Sequence, residues 1–298
     1  MSSRRIGLLV NPTAGKNAGA RVGTTVADLL ERGGAEVVDL TGLDARRAEA
    51  KARRAVRDGE VDTLVVAGGD GAVGLGANIC AQTEVPLGVV AVGTGNDNAR
   101  ELGLPVRDVE AAVERVLHGS ARAVDLGRVR STDGSTERWY LGVPCGGFDA
   151  LVNERANTMR WPRGPARYNL AIARELPTFA PIPYTLTLDG EVSHPRAMLV
   201  CVGNGRAYGG GMRVTPDADM ADGLLDVLVV DEISVPELLR VFPKVFRGAH
   251  LGHPAVSVHR ARSVRLDAPG VVAYADGERL YPLPVDVDVV PGAVRILI

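Results

Sequence analysis

The stretch VVAGGDGAVG (65–74) decides how the first half of the chain is read. Val65, Val66 and Ala67 close an apolar run, and Gly68, Gly69 and Gly71 surround one carboxylate, Asp70. An apolar run without alternation suits a strand buried on both faces. A glycine-rich turn at its carboxyl end lies where an open parallel sheet places its ligands.

The flanking sequence repeats that pattern. IGLLV (6–10) and EVVDL (36–40) predict strands, as do VDTLVVAG (61–68) and PLGVVAVG (86–93). Between them, Val22, Val26, Leu29 and Leu30 recur at helical spacing until Gly33-Gly34, and DARRAEAKARRAVRDG (44–59) is a charged, alanine-rich helix. VRDVEAAVERVLHG (106–119) is a further helix. Strands alternating with helices predict a parallel sheet covered on both faces. Beyond about residue 122 the texture changes to strands separated by turn signals: 184–191, 196–205, 224–232, 256–268, 271–280 and 285–298. Helical interruptions fall near 166–176 and 235–247. The expected architecture is an α/β N-terminal domain with a parallel sheet (1–122) and a mostly antiparallel β-sandwich C-terminal domain (123–298). It leaves room for the extreme C-terminus to return to the first domain.

Composition narrows the function. The 298 residues carry a net charge of −2 and only 4% aromatics, which argues against nucleic-acid binding. Cys80, Cys145 and Cys201 are odd in number and far apart, with no C-x-x-C pairing. That predicts neither a disulfide framework nor a zinc site, and a reducing, cytoplasmic setting. The apolar run after Arg4 and Arg5 is too short for a signal peptide, and no stretch approaches a membrane span. Any membrane association is expected to be peripheral.

Three strand ends carry unusual loops: NPTAGK (11–16), GGDG (68–71) and GTGNDNA (93–99). Glycine with small polar side chains suits a backbone that approaches phosphates closely. The first loop is not a Walker-A loop, because Asn17 follows Lys16 and Val10 stands where the first glycine would be. No dinucleotide G-x-G-x-x-G follows the first strand. Each loop alone also reads as a tight strand-to-helix turn; three on one sheet edge favour a ligand site.

In this order and spacing the three loops resemble the diacylglycerol kinase catalytic-domain superfamily, which includes bacterial lipid kinases, sphingosine kinases and, more distantly, NAD kinases. VGNGRAYGGGMRVTPDADMADGLLDV (202–227) and YADGE (274–278) are similar to the C-terminal motifs of its bacterial members. The resemblance implies an ATP site of Asn11, Pro12, Thr13, Ala14, Gly15, Thr41, Gly68, Gly69, Asp70, Gly71 and Thr94, with Lys16 as a point charge near phosphate oxygens. It implies Mg²⁺ beside Asp70, Glu278 as general base, and Asp97 and Asp276 supporting base or metal. It also implies a structural magnesium held by the Asp222 side chain and the carbonyls of Asp219 and Leu224, linked to the active site through Asp125. Read alone, 215–226 is an acidic surface turn, YADGE a hairpin turn, and Thr41 a helix N-cap. The chain departs from the family at Ala72, where threonine is usual, and at Gly74 and Leu75, where acidic or amide side chains are frequent.

The implied activity is ATP-dependent phosphorylation of diacylglycerol to phosphatidate. Phosphatidylglycerol, monoacylglycerol and long-chain bases offer comparable hydroxyls; NAD kinase and a catalytically silent ATP binder are the competing readings. A lipid acceptor calls for a docking surface. MRWPRGPARY (159–168) and PELLRVFPKVFRG (236–248) combine aromatic, apolar and basic residues. The first also reads as a solvated loop. The second reads better as a core-packed amphipathic helix kinked at Pro243. An exposed sheet edge in the second domain would suit a homodimer.

Overall fold

The structure, a computed structural model, describes residues 3–10, 18–42, 44–147, 152, 155, 158–159, 161, 170–171, 174, 179–275 and 278–298. The chain forms two compact units: Met1–Leu126 with Met220–Asp222 and Val290–Ile298, and Gly127–Asp219 with Gly223–Val289.

In the first unit, β1 (Arg5–Val10), β2 (Glu36–Asp39), β3 (Thr63–Gly68) and β4 (Leu87–Ala91) pair in the order β2-β1-β3-β4, all parallel. The end of β17 (Val285–Leu297) adds a further parallel partner, with Ile296 opposite Leu87. Every residue of β3 and β4 is buried, which is why their sequences run apolar without alternating. Helices α1 (Ala18–Arg32) and α5 (Val109–His118) bury Val26, Leu30, Val113 and Val116 against Ile6, Leu8, Val10 and Val65. Each such side chain contributes about 1.5–3 kcal/mol. Helix α2 (Ala45–Arg57) turns in a stripe of Ala48, Ala52, Ala55 and Val56. Its N-cap is Asp44, whose carboxylate accepts the Arg47 N–H at 2.8 Å. Thr41 therefore does not cap this helix.

Helix α3 (Asp70–Cys80) is absent from the sequence expectation, since glycine recurs at 71, 74 and 76 and is a poor helix former. Its packing explains Gly76. A Cβ there would lie 2.7 Å from Leu87 Cδ1 and 2.8 Å from Val66 Cγ1, so α3 lies closer to β3 and β4 than a side chain permits. The short helix α4 (Asp97–Glu101) completes the elements beside β4.

Strand β5 (Ala121–Ser131) leads into the second unit and pairs with β6 (Glu137–Tyr140). One antiparallel sheet contains β7 (Pro144–Gly147), β8 (Ile182–Pro183), β11 (Arg196–Gly203), β12 (Leu225–Asp231), β13 (Val256–Ala261), β15 (Val272–Ala275) and β16 (Glu278–Pro282). A second group comprises β9 (Thr185–Leu188), β10 (Glu191–Ser193), β14 (Ser263–Asp267) and the first half of β17. Val200, Val202, Val227 and Val229 from the first sheet share a core with Leu186, Val264, Leu266, Val285 and Val287 from the second, the interior of a sandwich. The Asp288 carboxylate, 19% exposed, takes Arg128 at 2.7 Å and Arg130 at 2.8 Å.

Two expected strands divide. The 184–191 stretch is the hairpin β9–β10, turning at Asp189 (φ 47) and Gly190 (φ 94). The 256–268 stretch is β13 and β14, separated at Arg262, whose N–H donates to the Asp189 carboxylate. The cysteine expectation is corrected. Cys145 and Cys201 form a disulfide, because antiparallel β7 and β11 set these residues, 56 positions apart, directly opposite one another. Cys80 is the free cysteine, and burial pushes its thiol up to about 12.

Candidate active site

Because β1 to β4 are parallel, their carboxyl ends share one edge. Thr41, just past β2, accepts the Val10 N–H on Oγ1 at 3.3 Å, which ties the ends of β1 and β2 together. The expected residues Asn11, Pro12, Thr13, Ala14, Gly15 and Lys16 lie outside the described residues, as does Asp276.

The loops after β3 and β4 meet. Gly68 ends β3, and its carbonyl accepts the Val92 N–H at 2.9 Å. A Cβ on Gly93 would stand 2.3 Å from Gly69 Cα, and one on Gly95 would stand 2.6 Å from Asp70 Oδ2. The two backbones are in direct contact, and side chains would separate them. Gly71 differs: it is exposed, and a Cβ there would meet open space. Its bareness serves no packing contact, and it leaves the backbone of the first turn of α3 uncovered.

Asp70 opens α3, favourably placed at a helix N-terminus. Its Oδ1 accepts the Asn98 N–H at 3.0 Å. Burial pushes its carboxyl above the ordinary 3.8; the Asn98 N–H opposes this, and the nearby Asp97 charge adds to it. Asp97 is 5% exposed and pairs with Arg100 at 2.9 Å. Thr94 is exposed on the same loop. Two close acids with an open backbone turn are chemically suited to a hard divalent cation that carries phosphate oxygens.

Three residues of this region escaped the sequence reading. Asn96 is fully buried at φ 60; its amide accepts the Gly93 N–H at 2.9 Å and donates to the Gly93 carbonyl at 2.8 Å. Its left-handed backbone is a conformation asparagine tolerates, the one signal in GTGNDNA that marked it. Arg100 neutralises part of Asp97, and Arg107 reaches the Gly93 and Thr94 carbonyls at 3.4 Å. The atypical Ala72 is 6% exposed and Gly74 is buried, on the inward side of α3, whereas Leu75 is half-buried.

Asp125 is buried at 5%; its N–H donates to the Met220 carbonyl at 2.7 Å, and its carboxylate accepts the Gly292 N–H at 2.8 Å. Asp219 and Asp222 are exposed, and Leu224 is half-buried. Among the described residues no group of three or more His, Cys, Asp or Glu gathers as a metal cluster. A loop site built from one carboxylate and carbonyls has a different composition. In the second unit, Glu278 begins β16, and its backbone pairs with Ala275.

Residues 5–129 match the diacylglycerol kinase catalytic domain, and residues 142–298 match the YegS C-terminal NAD kinase beta sandwich-like domain. A protein named diacylglycerol kinase from Mycobacterium tuberculosis (strain ATCC 25618 / H37Rv) is 41% identical over 294 residues, 98% of this chain and 94% of that one. The chain belongs to the diacylglycerol kinase family. A second diacylglycerol kinase, from Bacillus subtilis (strain 168), is 27% identical over 89% of this chain and 86% of its own. The fold matches the crystal structure of a diacylglycerol kinase from Bacillus anthracis str. Sterne, with a TM-score of 0.72 at 21% identity over 100% of this chain and 97% of that one. Membership of the diacylglycerol kinase family makes the protein a lipid kinase with ATP as phosphate donor. No helix among the described residues is long and apolar enough to cross a membrane.

Proposed function

We propose that the protein transfers the γ-phosphate of ATP to the hydroxyl of 1,2-diacylglycerol, giving phosphatidate and ADP. The observation that carries this reading is the fusion of the 68–71 and 93–98 loops around Asp70 and Asp97, in a chain 41% identical along 98% of its length to a named diacylglycerol kinase.

The phosphates would lie along the bare backbone of Gly69 and Gly71 and the first turn of α3, with Thr41, Thr94 and residues 11–15 completing the ATP site. Asp70 and Asp97 would hold Mg²⁺, and Lys16 would add a positive charge. When bound, the ion neutralises phosphate charge. Burial favours this arrangement, because an Asp70 carboxylate short of solvation gains most from a cation. In the transfer, the acceptor oxygen bonds to phosphorus as the bond from phosphorus to the ADP oxygen breaks. The hydroxyl proton passes to Glu278 as general base, supported by Asp276. A second magnesium, held by the Asp222 carboxylate and the Asp219 and Leu224 carbonyls, would order the 215–224 loop, with the anchored Asp125 beside it. The acceptor resides in a bilayer, so the enzyme works at a membrane surface as a peripheral protein.

Labelled ATP offered with diacylglycerol, monoacylglycerol, phosphatidylglycerol or a long-chain base in mixed micelles, or with NAD in solution, tests the assignment. The expected product is labelled phosphatidate. Label transferred to NAD, or none transferred to any lipid while ATP binds, would overturn it.

A further inference from the structure

Helix α6 (Val235–Val241) and the 3-10 turn after it (Phe242–Arg247) present two faces. Val235, Leu238 and Val245 point inward, against the clusters that contain Met198, Leu228 and Val152, and Val241 is buried beside them in sequence. The core-packed reading of this segment thus accounts for four of these seven apolar residues. The other three are outside: Leu239 is 52% exposed, Phe242 36% and Phe246 48%, and the two phenylalanine rings stack edge-on at 6.3 Å. Arg240, Lys244 and Arg247 are exposed among them, and none has an ion-pair partner among the described residues. The segment's acid, Glu237, is occupied by His253 at 3.1 Å. Val235 and Leu238 also pack with Met159, two positions before Trp161, which is 78% exposed.

We infer that this face is the surface by which the enzyme docks on an anionic lipid bilayer, with Leu239, Phe242 and Phe246 entering the headgroup–acyl boundary and Arg240, Lys244 and Arg247 meeting lipid phosphates. The inference rests on the lipid-kinase reading above and locates its membrane contact. Charge decides the occupant. Two copies of the chain apposed on this patch would bring six cations together, which opposes dimerisation. An anionic surface gains from each cation, and long basic side chains extend their heads toward it while their stems cover apolar surface.

Sedimentation with vesicles of phosphatidylcholine, alone or mixed with phosphatidylglycerol, tests this. Wild type is compared with Leu239→Ser/Phe242→Ser/Phe246→Ser and with Arg240→Gln/Lys244→Gln/Arg247→Gln. The charge variant is expected to lose about a hundredfold in binding to the anionic vesicles, roughly fivefold per cation. The apolar variant should lose binding to both vesicle types. Both should phosphorylate a short-chain diacylglycerol dissolved in water at the wild-type rate. Wild-type binding by both variants would overturn the inference. So would an equal loss on the dissolved substrate, or a wild-type dimer that the apolar variant breaks while vesicle binding persists. If wild type phosphorylates no diacylglycerol, the activity assignment fails, and the vesicle result still decides the surface.

Discussion

The carboxylate of Asp70 accepts the backbone N–H of Asn98 at 3.0 Å, so the acid at the end of β3 holds the loop at the end of β4. One side chain thereby joins the two glycine-rich turns and carries charge into a half-desolvated position. The arrangement costs the fold something, because burial disfavours the ionised carboxylate.

Asp70→Asn should separate these two effects. The amide keeps the shape and an acceptor for Asn98 while removing the buried charge. Turnover should fall at least ~100-fold, on the scale of lost electrostatic stabilisation. The melting temperature near neutral pH should hold or rise. A thermal melt beside a phosphorylation assay checks both, and a destabilised variant would contradict the desolvation argument.

The same shift predicts a proton linked to metal–nucleotide binding. Asp70 titrates above 3.8 in the folded chain, so the folded state takes up its proton more readily than the unfolded state in the window above that value. Stability from this group is therefore greatest at low pH and falls as pH rises through the window. Cation binding favours the carboxylate, so affinity for MgATP should fall as pH drops into the same window, with protons released on binding. Calorimetry in buffers of different ionisation enthalpy measures that release; Asp70→Asn should abolish it.

Gly93 and Gly71 should respond oppositely to alanine. At Gly93 the added Cβ would press on Gly69 Cα at 2.3 Å, forcing the loops apart at a cost of about 1–3 kcal/mol. At Gly71 the Cβ meets open space on a helix, so Gly71→Ala should stabilise by about 0.5–1 kcal/mol while weakening ATP binding. Denaturant titrations with nucleotide-binding measurements distinguish the structural glycine from the functional one.

His250 gives the fold an acid-sensitive point. It is 3% exposed, contacts the Val214 carbonyl through Nε2 at 2.9 Å, and has its titration pushed below 6.5 by burial. A depressed histidine contributes stability that is complete above its unfolded value of 6.5 and is lost as pH falls through the folded value. Melting temperature should therefore decline on acidification below 6.5, and His250→Gln should flatten that decline.

The sheet of the first unit was legible because β1, β3 and β4 are buried on both faces and spell unbroken apolar runs. Helix α3 was not, because Gly76 answers to Leu87 and Val66 across the packing interface rather than to helix propensity. The break at Arg262 was hidden, since the turn is held from the distant Asp189. The disulfide depends on strand register, which sequence separation does not reveal. In the site, Asp70 and Asp97 stood out as acids among glycines. Asn96 and Arg107 act by closing loops and Arg100 by pairing with Asp97, roles visible only once the loops are assembled.

The most direct test of the lipid-kinase assignment compares wild type with Glu278→Gln in Mg²⁺-dependent phosphorylation of diacylglycerol in anionic mixed micelles, with ATP affinity measured in parallel. The account predicts labelled phosphatidate from wild type, a loss of roughly a hundredfold or more in the variant, as for a removed general base, and unchanged ATP affinity. Undiminished product from Glu278→Gln, or no lipid product from a wild type that binds ATP, would contradict it.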